Sequence, residues 1–276
     1  MISGTTKLIA HIGYPTETFK APLIYNPYFE KIGVDAVVVP MGCKPEDFPE
    51  FLKLTFRLSN IHGALITMPH KVTTMGLLDE LSTSAKIAGS CNAVRLSGDG
   101  RLIGDMFDGE GFVRGVIRKG RGVKGAKVLV VGSGGVGSAI AASFAKSGVQ
   151  ELGIYDANTA SMEGLMGRLR LHYPNTVISA GSPNPSGFDI VVNATPLGMT
   201  PGDPLPIDAS KLAPETFAGE VVMKQEITPF LKAARAKGCQ YQIGTDMLFE
   251  QIPAYLEFFG FPTTSVEEIR AVARLK

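Results

Sequence analysis

Hydrophobic and polar positions alternate in blocks along the first third of the chain. KLIAHIGY reads as a strand, LIYNPYFEKIG as a helix closed by glycine, DAVVVPMG as a second strand, EDFPEFLKLTFRLSN as a second helix and GALITM as a third strand. Runs such as AVVVP are apolar at successive positions, the pattern of a strand covered on both faces. Strands alternating with helices imply parallel βαβ units. LSGDGRL then sets Asp-Gly between two short apolar segments, which is a hairpin signal. FDGEGFVRGVIRKG has helical spacing, although its Asp108-Gly109 step taken alone is turn chemistry. Beyond it, KVLVVGSGGVGSAIAASFAKSG, ELGIYD, a helix from about Ala160 to Tyr173, FDIVVNAT and GEVVM repeat the alternation. The tail, MLFEQIPAYLEFFG and SVEEIRAVARLK, reads as two helices. The pattern predicts an α/β protein with a junction near residues 106–110.

Composition narrows the function classes. The 276 residues suffice for one large domain or two ordinary ones, and 45% are hydrophobic, enough for a sizeable core. Net charge is +1, from 27 basic and 26 acidic side chains, so no nucleic-acid or membrane-surface footprint is expected. No apolar run is long enough for a membrane span, and the N-terminal MISGTTKLIAHIGY lacks the parts of a secretory signal. The three cysteines (Cys43, Cys91, Cys239) are scattered and read as reduced thiols of a cytoplasmic protein. The four histidines (His11, His62, His70, His172) show no metal-ligand spacing and read as structural, so no metal is expected.

The sharpest local chemistry lies in VLVVGSGGVG. A strand runs into Gly132-x-Gly134-x-x-Gly137 and then a helix. Gly132 permits the tight turn, Gly134 lets the backbone approach a pyrophosphate, and Gly137 lets the helix pack close to the strand. The next strand ends in Asp156, about 20 residues on, where a carboxylate accepts bonds from a ribose hydroxyl. Ala157 and Asn158 beside it carry no positive charge for an extra phosphate, so NAD is expected over NADP. Ser133, Gly135 and Val136 complete the loop. On the other side, LITMPHK places Lys71 just past a strand's carboxyl end, where α/β sheets bind ligands, and a lysine held by a carboxylate serves there as acid/base for alcohol oxidation.

These residues fall in an order that resembles the shikimate/quinate dehydrogenase family over nearly the full length. GYPTETFKAPLIYN resembles that family's G-x-P-x-x-x-S-x-S-P-x-x-H-N opening, ALITMPHK its N-V-T-x-P-x-K, AGSCNAV its G-A-x-N-T and LIGDMFDGEGF its L-x-G-x-N-T-D-G-x-G. GSGGVG, VVNATPLGM, ITPFL and GTDMLFEQ follow in sequence. The resemblance implies two domains: a mostly parallel α/β substrate domain over residues 1–107, completed by C-terminal helices 245–276, and a Rossmann-type NAD-binding domain over 108–244. It places Lys71 and Asp108 on the catalytic pair, in a cleft that also holds the nicotinamide. Thr67, Asn92 and Gln251 fall on substrate-contacting positions. Asn193, Ala194, Thr195, Val221, Gly244 and Met247 fall on the dinucleotide side. The partner is then a small cyclic hydroxy acid, and the chain a monomer or homodimer.

The departures gather on the substrate side. The family's paired serines, which hold the substrate carboxylate, align with Phe19 and Ala21; its N-T before the catalytic Asp is Met106-Phe107; the tyrosine of its Y-x-P-x-x-T-P segment aligns with Met223. Shikimate is therefore expected to be a poor substrate, and Thr16, Thr18 or Lys20 would have to supply another anchor. Two other readings stay open: a dehydrogenase of a less polar alcohol, and an NAD-binding regulator without turnover.

Overall fold

In the computed structural model, which describes residues 2–275, the chain divides into two compact units, Met1–Phe107 with Ile252–Lys276 and Asp108–Gln251. The first contains β1 (Lys7–Gly13), α1 (Ala21–Ile32), β2 (Ala36–Gly42), α2 (Phe48–Thr55), β3 (Ile61–Ile66), β4 (Glu80–Leu81), α3 (Thr83–Ala88), β5 (Ala93–Leu96) and β6 (Leu102–Asp105). Its sheet runs β2-β1-β3-β5-β6-β4. β1 pairs parallel with both β2 and β3, whereas β5 pairs antiparallel with β3 and β6. The Asp-Gly hairpin thus lies between β5 and β6. The chain crosses back over β1 to reach β3, so the carboxyl ends of β1 and β3 flank a reversal of strand order, where open α/β sheets form a crevice. Proline at its first turn starts α1, and Gly33, at φ +69°, ends it.

The second unit contains α4 (Asp108–Arg118), β7 (Lys127–Val131), α5 (Gly135–Lys146), β8 (Glu151–Tyr155), α6 (Thr159–His172), β9 (Val177–Ala180), β10 (Ile190–Asn193), β11 (Phe217–Glu220), α7 (Pro229–Ala236), β12 (Tyr241–Gln242) and α8 (Gly244–Glu250). Its sheet, β12-β11-β10-β7-β8-β9, is parallel throughout. The order is that of a doubly wound dinucleotide fold, with the reversal between β7 and β10. β7 and β10 are apolar along almost their whole length and buried, as strands covered on both faces must be.

The tail, α9 (Ile252–Phe259) and α10 (Val266–Val272), returns to the first unit. Phe107 packs edge-on against Tyr255 at 4.9 Å, Phe29 meets Phe261 at 5.0 Å, and the Tyr28 hydroxyl donates to the Pro262 carbonyl. Helix α8 packs instead on α4. Lys119 pairs with Asp246 at 2.9 Å and Arg118 pairs with Glu250. The chain therefore leaves the second unit after Gln251, later than the expected return at residue 245, and the C-terminal stretch read as two helices forms three, α8, α9 and α10.

The helix expected over FDGEGFVRGVIRKG starts at Asp108 itself; an acid in the first helical turn suits the dipole, and a Cβ on Gly109 would lie 2.0 Å from the Ala139 carbonyl of α5. One further local expectation changes. The strand read as GEVVM ends at Glu220, whose carboxylate turns back to accept the Val221 and Val222 amides at 2.8 and 3.0 Å.

Candidate active site

In the second unit, two of the three loop glycines are required by the packing around them. Gly132 has φ +106°, and a Cβ there would sit 2.7 Å from the Ala194 carbonyl. A Cβ on Gly137 would fall 2.1 Å from the Gly132 carbonyl oxygen. Gly134, the N-cap of α5, borders open space. Ala194 and Thr195 back this loop from the end of β10. The loop and helix N-terminus offer backbone amides and a positive dipole end to an anion.

Asp156 follows β8 and is fastened to that loop. Its carboxylate accepts the Ser133 amide at 2.6 Å, the Ser133 hydroxyl at 2.7 Å and the Asn158 amide at 2.8 Å. Burial alone would raise its pKa; the donors from Asn158 and Ser133 outweigh it and hold the carboxyl below its ordinary value. Ala157 is exposed, and the Asn158 side chain caps α6 through the Ser161 amide.

Asn193 is placed differently from the sequence expectation of a cofactor contact. It is fully buried; its amide group donates to Glu220 at 3.0 Å and to the Leu197 carbonyl, and its oxygen accepts from the Thr195 amide and hydroxyl. The Thr228 hydroxyl also donates to Glu220 at 2.6 Å. This network ties the ends of β10 and β11 together. Burial, its leading cause, raises the Glu220 pKa despite these donors. Val221 donates its amide to the Asn193 carbonyl, and the Val221 and Val222 carbonyls crowd Gly244 so closely that no side chain fits there. Met247 is buried on α8, and Met223 is 44% exposed just beyond β11. Gln251 is 8% exposed, with Oε1 sealed and without a hydrogen-bond partner among the described residues. Asp108 is 4% exposed at the first turn of α4.

In the first unit, the segment after β3 is locked from both sides. The Thr67 amide donates to the Ile12 carbonyl, and His70 stacks on Phe48 at 4.0 Å while its Nε2 bonds the Cys43 carbonyl oxygen. The Lys71 carbonyl accepts the Cys91 amide at 2.9 Å. This leaves the half-buried Lys71 on a rigid backbone at the carboxyl end of β3. Asn92 is 1% exposed; its carbonyl accepts the Ile66 amide and its Oδ1 the Phe107 amide. The Phe107 ring, expected to face substrate, instead sits in the aromatic cluster with Tyr255 and Phe258.

Phe19 and Ala21 flank the start of α1. The Phe19 ring lies 4.1 Å from the His11 ring, and a Cβ on Gly13 would meet Thr67 Cγ2, the Met68 carbonyl and Phe19 Cζ, each within 2.8 Å. Gly13, Phe19, Thr67 and His11 thus form one corner at the ends of β1 and β3. His11 is the residue that reading the chain passed over, since a lone histidine in a strand has no local signature. His62 and His70 bond backbone carbonyls. His11 Nδ1 is sealed without a partner among the described residues. Burial first, and the charge of Lys71 second, lower its pKa from 6.5 to about 4.

Among the described residues, no group of three His, Cys, Asp or Glu assembles for a metal, and no helix is long and apolar enough to cross a membrane. The three cysteines are buried thiols, Cys91 pushed up to about 12 mainly by burial.

Residues 11–94 match the shikimate dehydrogenase substrate binding domain, and residues 118–173 match the ThiF family. Shikimate dehydrogenase (NADP(+)) of Rubrobacter xylanophilus is 33% identical over 91% of this chain and 89% of its own. This chain belongs to the shikimate dehydrogenase family. Shikimate dehydrogenases are oxidoreductases, and the chain is similar over nearly its full length to several solved structures. The crystal structure of shikimate 5-dehydrogenase from Listeria monocytogenes in complex with shikimate and NAD has a TM-score of 0.91 at 27% identity, covering 98% of this chain and 97% of that one. The ligand-free 5-ketofructose reductase of Gluconobacter sp. strain CHM43 has a TM-score of 0.87 at 25% identity, covering 98% and 99%.

Proposed function

We propose that this shikimate dehydrogenase family member transfers hydride reversibly between NAD and a secondary hydroxyl of a small shikimate- or quinate-like cyclic hydroxy acid, turning over shikimate itself weakly. The observation that carries the reading is the glycine loop with Asp156 fastened to it. A Cβ-free approach at Gly134, the amides at the start of α5 (residues 135–137) and the carboxylate of Asp156, fastened through the Ser133 amide, fit a dinucleotide: the loop would hold the pyrophosphate and Asp156 the ribose hydroxyls. The dinucleotide, when bound, supplies the hydride acceptor or donor.

Lys71 Nζ takes the proton from the substrate hydroxyl during oxidation and returns it during reduction. Asp108 accepts a hydrogen bond from that hydroxyl and holds the lysine in line. Thr67, just past β3, and Asn92, just before β5, orient the remaining hydroxyls together with Gln251. NAD is favoured because Asp156 repels a ribose phosphate and Ala157 and Asn158 offer no cation to it. The curated relatives named for NADP(+) make this a sharp test.

The experiment follows NADH and NADPH formation with shikimate and quinate, beside Lys71→Ala. A Lys71-dependent signal with NAD supports the reading, and a preference for NADP overturns its cofactor half. One observation favours a second substrate reading, an alcohol without a carboxylate: Phe19 and Ala21 stand where paired hydroxyls hold that carboxylate in the family, and the chain is also similar to a reductase named for an uncharged keto sugar.

A further inference from the structure

We propose that His11, with Phe19, forms a subsite that selects an uncharged hydroxyl or ketone oxygen of the substrate in place of a carboxylate. This rests on the hydride-transfer reading above and takes the second of its substrate readings.

The geometry places the imidazole at the right point. His11 lies one residue short of the last pair of β1 residues, between Pro40 of β2 and Leu65 of β3 in register. Its ring contacts Phe19, whose tip reaches the Gly13–Thr67 corner. Lys71 is close enough for its charge to weigh on the imidazole. A residue that is 9% exposed, with a ring nitrogen sealed and unpaired among the described residues, is carrying an uncompensated polar group. A buried N–H without an acceptor is rarer than a buried acceptor without a donor. The sealed Nδ1 therefore keeps the lone pair, and Nε2 carries the proton and donates. Beside a lysine, in an apolar corner, the ring stays neutral at pH 7. One neutral N–H and a phenyl ring do not offset the desolvation of a carboxylate, which the family meets with two hydroxyls. They suit a hydroxyl or ketone oxygen carried on an otherwise apolar edge.

The test compares shikimate with its methyl ester, identical rings that differ in one charge. Calorimetric titration of the enzyme–NAD complex reads binding, and NADH formation reads kcat and KM. The ester is expected to bind at least as tightly as the acid. His11→Leu is expected to weaken ester binding about tenfold, in KM rather than kcat, the size of one hydrogen bond. His11→Gln, which keeps a donor at similar reach, is expected to restore most of it. A folded His11→Leu protein, checked by its melting temperature, that binds the ester as the parent does would overturn the subsite. So would tighter binding of the acid, or binding of neither ligand. Loss of turnover with binding intact overturns only the hydride-transfer reading, which separates the two.

Discussion

The two units share an alternating α/β plan but treat their polar groups differently. Around the glycine loop of the second unit, Asp156 has its donors, Asn193 its acceptors and Glu220 its hydroxyl and amides. At the corner of β1 and β3 in the first unit, the hydroxyls expected from the family are absent, a phenyl ring occupies one position, and the neighbouring imidazole has a sealed nitrogen without a partner among the described residues. The glycine loop is thus satisfied within the protein, whereas the β1–β3 corner keeps a polar group that its own unit does not satisfy. On the function proposed above, the difference puts this protein's departures from the family motifs on the substrate side.

Breaking each side in turn sharpens the contrast. Lys71→Ala is expected to lower kcat about 10²–10⁴-fold, the usual weight of a positioned acid/base, while NAD binding measured by calorimetry stays unchanged. Restoring hydroxyls with Phe19→Ser and Ala21→Ser is expected to raise kcat/KM for shikimate. Two charge-assisted bonds of about 1.5–3 kcal/mol each correspond to roughly a hundredfold to ten-thousandfold. No rise in a steady-state assay would show that these positions do not limit the reaction. On the other side, Asp156→Asn with Ala157→Arg is expected to move the NADP to NAD ratio of kcat/KM towards NADP by about tenfold to a hundredfold, one or two charged contacts in size.

The smallest expected effect is on stability against pH. The unfolded His11 takes up a proton near 6.5, whereas the folded one resists until about 4, first because it is buried and second because Lys71 is near. Between those values the unfolded state binds more protons, so stability falls as pH falls through that window. His11→Leu removes this contribution, and its denaturation midpoint is expected to fall less steeply from pH 6.5 to 4 than the parent's.

The alternation of strands and helices, the hairpin, the glycine loop with Asp156 and the position of Lys71 past a strand end were legible along the chain, because each depends on neighbours within a few residues or on one βαβ period. Asp108-Gly109 shows where that reach ends: the spacing marks a helix, but only the packing of α5 shows that residue 109 has room for no side chain. Phe107 was legible as apolar but not as a core ring, since Tyr255 and Phe258 meet it from far along the chain. Asn193 was legible as a residue at a strand end, but its partner Glu220 arrives only when β10 and β11 pair. His11 had no signature at all. An unsatisfied nitrogen is a property of surroundings, and those surroundings, Phe19 from one loop, Gly13 from its own strand and Thr67 from β3, assemble only in the folded unit. Period and spacing determined the class of protein and its glycine loop; burial and long-range pairing decided which polar groups are satisfied within the protein and which are left without a partner among the described residues.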